Sequence, residues 1–407
     1  MRSWLLSALM LAVAACTSEI QAVDEYSEKQ QAISVDARAL CEIVEQNYVY
    51  FEPRAQAWPT ACLQAQAAVV SATTSAQRLG VLEMLVDALY DPHVSIGTNS
   101  DASPRLVPSG TDYLIRGDRV VAVRKGSGAA LAGVLIGDQV IQVNGRSLRE
   151  AQAQRLQPQG GVPSQAQLDW ALDAAGAGYR DVERSVTLIR EGQEINLTLG
   201  DPAPVWPGEY VTALMLEEEI AYFRLNNSLG DTGTADAFDE AIEQMRDARG
   251  WILDLRDTPG GGGTDNAEPI IGRFISAPAA YQKILPSDVP PWDRMVEPHG
   301  DWTAQGPLVV LVGRWTGSMG EGMAIGLDSL GRGHAMGSDM ARLPGGVDRF
   351  DLPETGIPIR FPTYDLAHMN GTPRHQWSPP IQIISDNGDG PDLALEAAQT
   401  WIEAQLP

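Results

Sequence analysis

Lysine is nearly missing from this chain. Its 407 residues contain only Lys29, Lys125 and Lys283. None lies after Ser318, so a catalytic lysine downstream of that serine is excluded. Positive charge is scarce as a class, with 29 Lys+Arg against 53 Asp+Glu and a net charge of -24. Such a chain is poorly suited to phosphate backbones or anionic lipid headgroups, so nucleic acid is not expected as a partner. No His, Cys or carboxylate pair has metal-ligand spacing such as H-E-x-x-H, so neither a metal nor a cofactor is expected. The acidic residues are spread rather than blocked. The hydrophobic fraction of 44% is ample for packed cores, which disfavours disorder away from the ends and the Pro/Gly-rich loops. The length predicts two or three domains.

Residues 1–15 have the form of a signal peptide. Arg2 supplies the positive start and Trp4–Val13 (WLLSALMLAV) the apolar centre. That run is too short for a permanent membrane span. It ends in Val13-Ala14-Ala15-Cys16, which resembles a bacterial lipoprotein box. The resemblance implies lipidation of Cys16, a polar tether over residues 16–33, and a place in the cell envelope, at the outer membrane facing the periplasm. The lipid would be the only membrane contact. A plain secretory signal is the alternative. The remaining cysteines, Cys41 and Cys62, lie in helix-like segments of an exported chain. They are either disulfide-bonded, stapling two antiparallel helices, or buried free thiols.

The chain then divides into three regions. Residues 34–100 read as a helical domain in which Ser75–Tyr90 is amphipathic and His93 follows the stop at Asp91-Pro92. Residues 101–203 read as a β-rich module with strands at Val120–Val123, Val140–Val143, Ser185–Ile189 and Glu194–Leu199, and a hairpin signal at Asn144-Gly145. The Gln-rich Gln152–Gly161 reads as a loop insertion. Residues 204–407 alternate strands and helices, which implies parallel pairing with right-handed crossovers. Ser276–Gln305 reads as a long irregular stretch, a candidate lid. His334 is expected in a buried strand.

Within the third region, Leu308–Val312 (LVVLV) is a buried strand, and Met319, Met323, Ala324, Leu327 and Leu330 follow at helical spacing. Ser318 stands between them. It is either a nucleophile at a helix N-terminus or only a helix cap, with Glu321 completing a capping box. The pattern misses G-x-S-x-G because Thr316 occupies the first Gly position. The tetraglycine Gly260–Gly263 follows the strand Trp251–Leu255. In a parallel sheet it emerges at the same edge as Ser318. An oxyanion hole from Gly260, Gly261 and the Met319 N–H is then geometrically sensible, a flexible turn being the alternative. No G-K-[ST] follows to make a phosphate loop.

The run GSGAALAGVLIGDQVIQVNGRSL (126–148) resembles a PDZ domain of the circularly permuted bacterial kind. That resemblance implies a peptide-binding edge near Gly110, Tyr113, Leu114 and Ile115, or else a purely scaffolding module. Together with LDLRDTPGGG (253–262), TGSMGEGMAIGLDSLGRG (316–333) and GTPRHQWSPPI (371–381), the chain resembles the S41 peptidases, the family of C-terminal processing proteases and the tricorn core. The resemblance implies an α/β multidomain protein with an N-terminal helical segment, a PDZ domain and a crotonase- or ClpP-like core. It further implies serine-dependent hydrolysis of a peptide or protein substrate, with Ser318 as nucleophile. One branch pairs the serine with a lysine, which the lysine inventory rules out here, and arginine is no base. Another uses a histidine placed after the N-terminal helices, the position of His93. Related sequences carry Glu where His375 stands. His375 is thus either an imidazole partner for Ser318 or the mark of a degraded site. Asp91 is a candidate to orient the His93 ring. Beside the peptidase stand two alternatives, an inactive scaffold with the same fold and an esterase using the same serine.

Overall fold

The computed structural model describes residues 34–406, apart from 55–56, 157–161, 227–228, 261 and 384–390. The signal peptide, Cys16 and the tether lie outside the described residues. Among the described residues the N-terminal region has three long helices, α1 (34–47), α2 (Trp58–Ser71) and α3 (Ser75–Asp87), with a single helical turn at Phe51–Arg54 between the first two. Thr74 starts α3 with a reciprocal capping box to Gln77. Cys41 and Cys62 are disulfide-bonded, Cα to Cα 6.1 Å, and staple α1 to α2. The helices share one core with Leu352, Ile359 and Phe361 from far down the chain.

The middle region is a sheet of strands β1 (Tyr113–Arg116), β2 (Arg119–Val123), β3 (Gln139–Val143), β4 (Arg184–Arg190) and β5 (Gln193–Leu199), in that order, with Arg146–Ser147 pairing to β3. Asn144 and Gly145 both have positive φ, 51° and 74°, the turn their dipeptide predicts. Helices α4 (Gly128–Ala132), α5 (Leu148–Arg155) and α6 (Gln165–Ala177) complete the unit. The expected loop from Gln152 is a helix as far as Arg155, because Ser147 and Glu150 form a capping box ahead of it.

The third region is a three-layer core. It contains β6 (Val211–Met215), β7 (Ile220–Leu225), α7 (Gly233–Gln244), β8 (Gly250–Asp254), α8 (Thr264–Gly272), β9 (Ala279–Pro286), β10 (Trp292–Val296), β11 (Leu308–Val312), α9 (Met319–Ser329), β12 (His334–Gly337), β13 (Gly346–Asp351), β14 (Pro358–Ala367) and α10 (Leu393–Glu403). The main sheet runs from Ile381–Gln382 through β12, β11, β8 and β7 to β6. All its pairs are parallel except β7 with β6. Every residue of β8 and β11 is buried, which suits strands covered on both faces. Helices α7, α8 and α9 pack on one face and α10 on the other.

The stretch Ser276–Gln305 is not irregular. It contains the antiparallel hairpin β9–β10, which joins β14, β13 and Ser95–Ile96 in a second sheet. A lid reading of that segment is thereby corrected, since its backbone is committed to the sheet. His334 is exposed rather than buried; it opens β12 and lies 4.3 Å, centroid to centroid, from the Trp401 ring.

Candidate active site

Three local features bring the site together. The first is the edge of the main sheet. Beyond β8 and β11 the chain continues as a two-residue parallel pair, Asp257–Thr258 with Trp315–Thr316. The Gly317 N–H then donates to the Thr258 carbonyl at 2.9 Å. The glycine loop and the Ser318 loop therefore leave the sheet in contact. A Cβ on Gly317 would sit 2.5 Å from the Pro259 carbonyl oxygen, and one on Gly320 would sit 2.7 Å from Thr258 Oγ1. Glycine at 317 and at 320 lets the two loops approach this closely.

The second feature is the conformation of Ser318, at φ 52° and ψ -115°. A non-glycine residue there costs about 1–3 kcal/mol and persists only where its surroundings enforce it. The enforcement comes from Glu321, buried in the first turn of α9. Its Oε2 accepts from the Ser318 N–H at 2.9 Å and the Leu343 N–H at 3.2 Å, and its Oε1 accepts from the Arg342 N–H at 2.9 Å. Burial pushes the Glu321 carboxyl up to about 7, against the pull of Arg374 and the three backbone donors. Glu321 thus serves the backbone. It completes the capping box expected with Ser318, and the Ser318 hydroxyl also lies 3.0 Å from His93 Nε2.

The third feature delivers His93. Two residues later the chain enters Ser95–Ile96, which pairs antiparallel with Ile359–Arg360 on the edge of β14. This short strand fastens the N-terminal region to the core and brings the histidine to the serine. The His93 Nδ1 lies 2.7 Å from the Pro344 carbonyl oxygen. A carbonyl only accepts, so Nδ1 carries the proton and the neutral ring presents a lone pair at Nε2 to the serine. Burial, then the Arg374 charge, pull the imidazole down to about 3, against bonds to the Pro344 and Gly345 carbonyls. Asp91 does not take the ring proton. Its Oδ1 accepts the His93 backbone N–H at 2.8 Å and its Oδ2 accepts the Tyr48 hydroxyl at 2.6 Å, so it sets the loop rather than the ring.

His375 lies elsewhere. Its Nδ1 is 3.9 Å from Asp365 Oδ1, its ring is edge-on to Tyr50, and it does not line the cleft that holds Ser318 and His93. Its neighbour Arg374 does line that cleft, a role not apparent from the sequence. The cleft has a volume of about 470 Å³ and is walled by the β9–β10 hairpin, β13–β14, Gly262 and Met319. Gly260 precedes it on the loop beside Gly317; Gly261 lies outside the described residues. The Met319 N–H opens α9, where backbone donors are free of helical partners. Among the described residues no group of three or more His, Cys, Asp or Glu is placed to hold a metal.

The β-rich unit touches this site twice. Trp315 Nε1 donates to the Thr111 carbonyl at 2.7 Å, and Leu114 packs with Trp315. Arg124 pairs with Asp257 at 2.6 Å. Tyr113 and Ile115 point into the core of the unit itself, while Gly110 turns tightly against Arg105 and Leu106. Strand β1 is an edge strand, and beside it a groove of about 940 Å³ runs past Arg116, Trp170 and Asp173 to Arg342.

Residues 219–382 match the model of peptidase family S41. No curated protein matches in sequence. Among solved structures, the fold is similar to a photosystem II D1 C-terminal processing protease, at 18% identity and a TM-score of 0.56, covering 91% of this chain and 97% of that one. It is similar to mature CPAF at 13% identity and a TM-score of 0.59, covering 92% and 96%. A putative peptidase from Parabacteroides merdae aligns at 14% identity and a TM-score of 0.56, covering 91% and 96%. At these identities the structures establish a shared mixed α/β fold. The family match spans both loops of the site and the segment from Arg342 to Gly345, and with that fold it supports a serine peptidase.

Proposed function

We propose that this protein is a serine peptidase in which Ser318 is the nucleophile and His93 the general base. The observation carrying the proposal is the 3.0 Å approach of His93 Nε2 to the Ser318 hydroxyl, with Nδ1 held by a carbonyl that fixes the tautomer. Ser318 Oγ attacks the scissile carbonyl while its proton passes to Nε2. The tetrahedral oxyanion takes its stabilising bond from the Met319 N–H, with Gly262 of the glycine loop on the same cleft. Collapse expels the amine, which takes the proton from Nε2, and leaves an acyl-serine. Water, deprotonated by the same nitrogen, hydrolyses the ester. Loss of one oxyanion donor typically costs about 2.7–4 kcal/mol in the barrier.

The β-rich unit is read as a PDZ domain whose β1 edge, from Gly110 to Ile115, takes a peptide as an added strand. Cys16 is read as the lipid attachment point, with the protein at the outer membrane and facing the periplasm. Radiolabelled palmitate incorporation that persists in Cys16→Ser would remove that part of the reading.

A second reading is binding without cleavage. It is favoured by one observation: the imidazole is backed by the Pro344 carbonyl and the Arg374 charge, and among the described residues no carboxylate hydrogen-bonds its ring nitrogens. An esterase using the same serine remains the third. Fluorophosphonate labelling of the full chain, read by intact mass, tests the first against the second. A single adduct absent from Ser318→Ala supports a peptidase or esterase, and turnover of peptide against ester substrates separates those. No adduct on the wild type moves the conclusion to binding.

A further inference from the structure

The chain is strongly acidic, yet its catalytic cleft is not. The charged side chains lining the cleft are Arg294 and Arg374, with no carboxylate among the lining residues. Arg294 is largely spent, since its Nε donates to Glu268 Oε1 at 2.7 Å. Arg374 is not. It is buried, 3% exposed, and its Nε and Nη2 donate to backbone carbonyls of Leu343 and Gly345, at 2.5 Å for Gly345. Among the described residues no carboxylate is ion-paired with it, and none accepts from its Nη1. The buried Glu321 carboxyl feels its charge but does not bond it, and a buried guanidinium with no carboxylate bonded to it is stabilised when an anion arrives.

Tyr364 stands beside it. Gly346 pairs with Tyr364 across β13 and β14, and a Cβ at Gly346 would strike the Tyr364 ring and hydroxyl. The phenol therefore lies over Gly346, the residue after the Gly345 whose carbonyl accepts from Arg374. Burial and the Asp348 carboxylate push its hydroxyl up, against the charges of Arg374 and Arg294. No described residue accepts from it. A planar donor fork and a phenolic O–H, neither hydrogen-bonded to a carboxylate among the described residues and both on the cleft that holds Ser318, suit a carboxylate.

We propose that Arg374 and Tyr364 form a carboxylate-recognition subsite of the cleft, so that the preferred peptide carries an acidic side chain or its own C-terminal carboxylate next to the cleaved bond. This deepens the peptidase reading and rests on it. Peptides that place a carboxylate there gain a charge-assisted bond to Arg374 and a hydroxyl donor from Tyr364.

The test is calorimetric titration of the full chain carrying Ser318→Ala, so that binding is read without turnover. Three peptides are compared: acetyl-Ala-Ala-Gln-Ala-Ala-amide, the same sequence with Glu for Gln, and the Gln sequence with a free C-terminal carboxylate. At least one acidic form binds about tenfold tighter or more than the neutral one. Preference for the Glu peptide assigns an acidic side chain, and preference for the free acid assigns the C-terminus. Adding Tyr364→Phe lowers the preference about two- to tenfold, and Arg374→Gln removes it. Arg374 also carries two backbone carbonyls, so if Arg374→Gln does not fold, Tyr364→Phe decides. Equal affinity for all three peptides, or a preference unchanged in Tyr364→Phe, overturns the proposal. Fluorophosphonate labelling of the wild type is scored separately. Labelling without carboxylate preference sinks only the subsite, whereas preference without labelling sinks only the peptidase.

Discussion

His93 and Ser318 are 225 residues apart in the chain and 3.0 Å apart at Nε2 and Oγ. Nothing local joins them. The serine is set by the exit of two parallel strands, and the histidine by the two-residue strand Ser95–Ile96 on the edge of β14. The pairing therefore depends on docking the N-terminal helices against the core, which Asp36 reinforces by accepting the Glu354 and Thr355 backbone N–H groups.

Removing either partner should silence the serine. General-base assistance typically contributes about 10²–10⁴-fold. His93→Ala should slow fluorophosphonate labelling by that order, and Ser318→Ala should abolish it. Labelling of His93→Ala within a few-fold of wild type would show that another group takes the proton.

His375→Ala should leave labelling within about threefold, because surface and near-surface changes away from the reacting atoms are usually small. Its ring faces Asp365 and Tyr50 and does not line the cleft. A loss comparable to that of His93→Ala would make His375 the base.

The pH dependence should be set by two groups with opposite signs. His93 titrates near 3 in the fold, below its ordinary 6.5. Its imidazole stays neutral above that, so labelling should show no loss of base between pH 6.5 and 5. Glu321 titrates near 7, above its ordinary 4.5. The native state holds that proton more tightly than the unfolded chain does. Its stabilising contribution is therefore complete below about 4.5 and is lost as pH rises through 7. Denaturation midpoints of wild type should fall relative to Glu321→Gln between pH 5 and 8. Parallel curves would refute the assignment.

The legible parts of this chain were those with a one-dimensional signature. Leu308–Val312 has the bounds its apolar run predicts, because short apolar runs mark strands covered on both faces. The second sheet was missed because β9 and β10 are half-exposed and sit among prolines, so neither alternation nor an apolar run is clean. His334 misled because it opens a strand whose later residues alone are buried. At the site, Ser318 and Glu321 stand in one helix turn and could be read together, whereas His93 came into view only through a family resemblance. The partner of its Nδ1 had no sequence signal at all. It is a backbone carbonyl, that of Pro344, and any residue there would supply one.

Gly317 offers a test of the loop geometry. Gly317→Ala places a methyl 2.5 Å from the Pro259 carbonyl oxygen, a backbone atom that cannot step aside alone. Overpacking of this kind costs about 1–3 kcal/mol. It should separate the glycine loop from Ser318, lowering both the thermal midpoint and the labelling rate. A variant with unchanged labelling would mean the two loops need not touch for the serine to be activated.

The contacts from the β-rich unit predict that it supports the site even without a bound peptide. Trp315 stands three residues before Ser318, and its indole N–H donates to the Thr111 carbonyl inside the unit. Trp315→Phe keeps most of the packing and removes the donor, leaving a buried carbonyl unsatisfied at a cost of about 1–3 kcal/mol. Arg124→Gln breaks the partly buried pair with Asp257, which sits at the exit of β8, although Arg224 still holds that carboxylate at 3.0 Å. The first change acts on the serine loop and the second on the glycine loop. Each should therefore slow labelling of Ser318, and the double variant should slow it by less than the product of the two, because both loosen the same docked unit. Strict multiplicativity would mean that the two loops are held independently, and that the β-rich unit does not act on the site as one body.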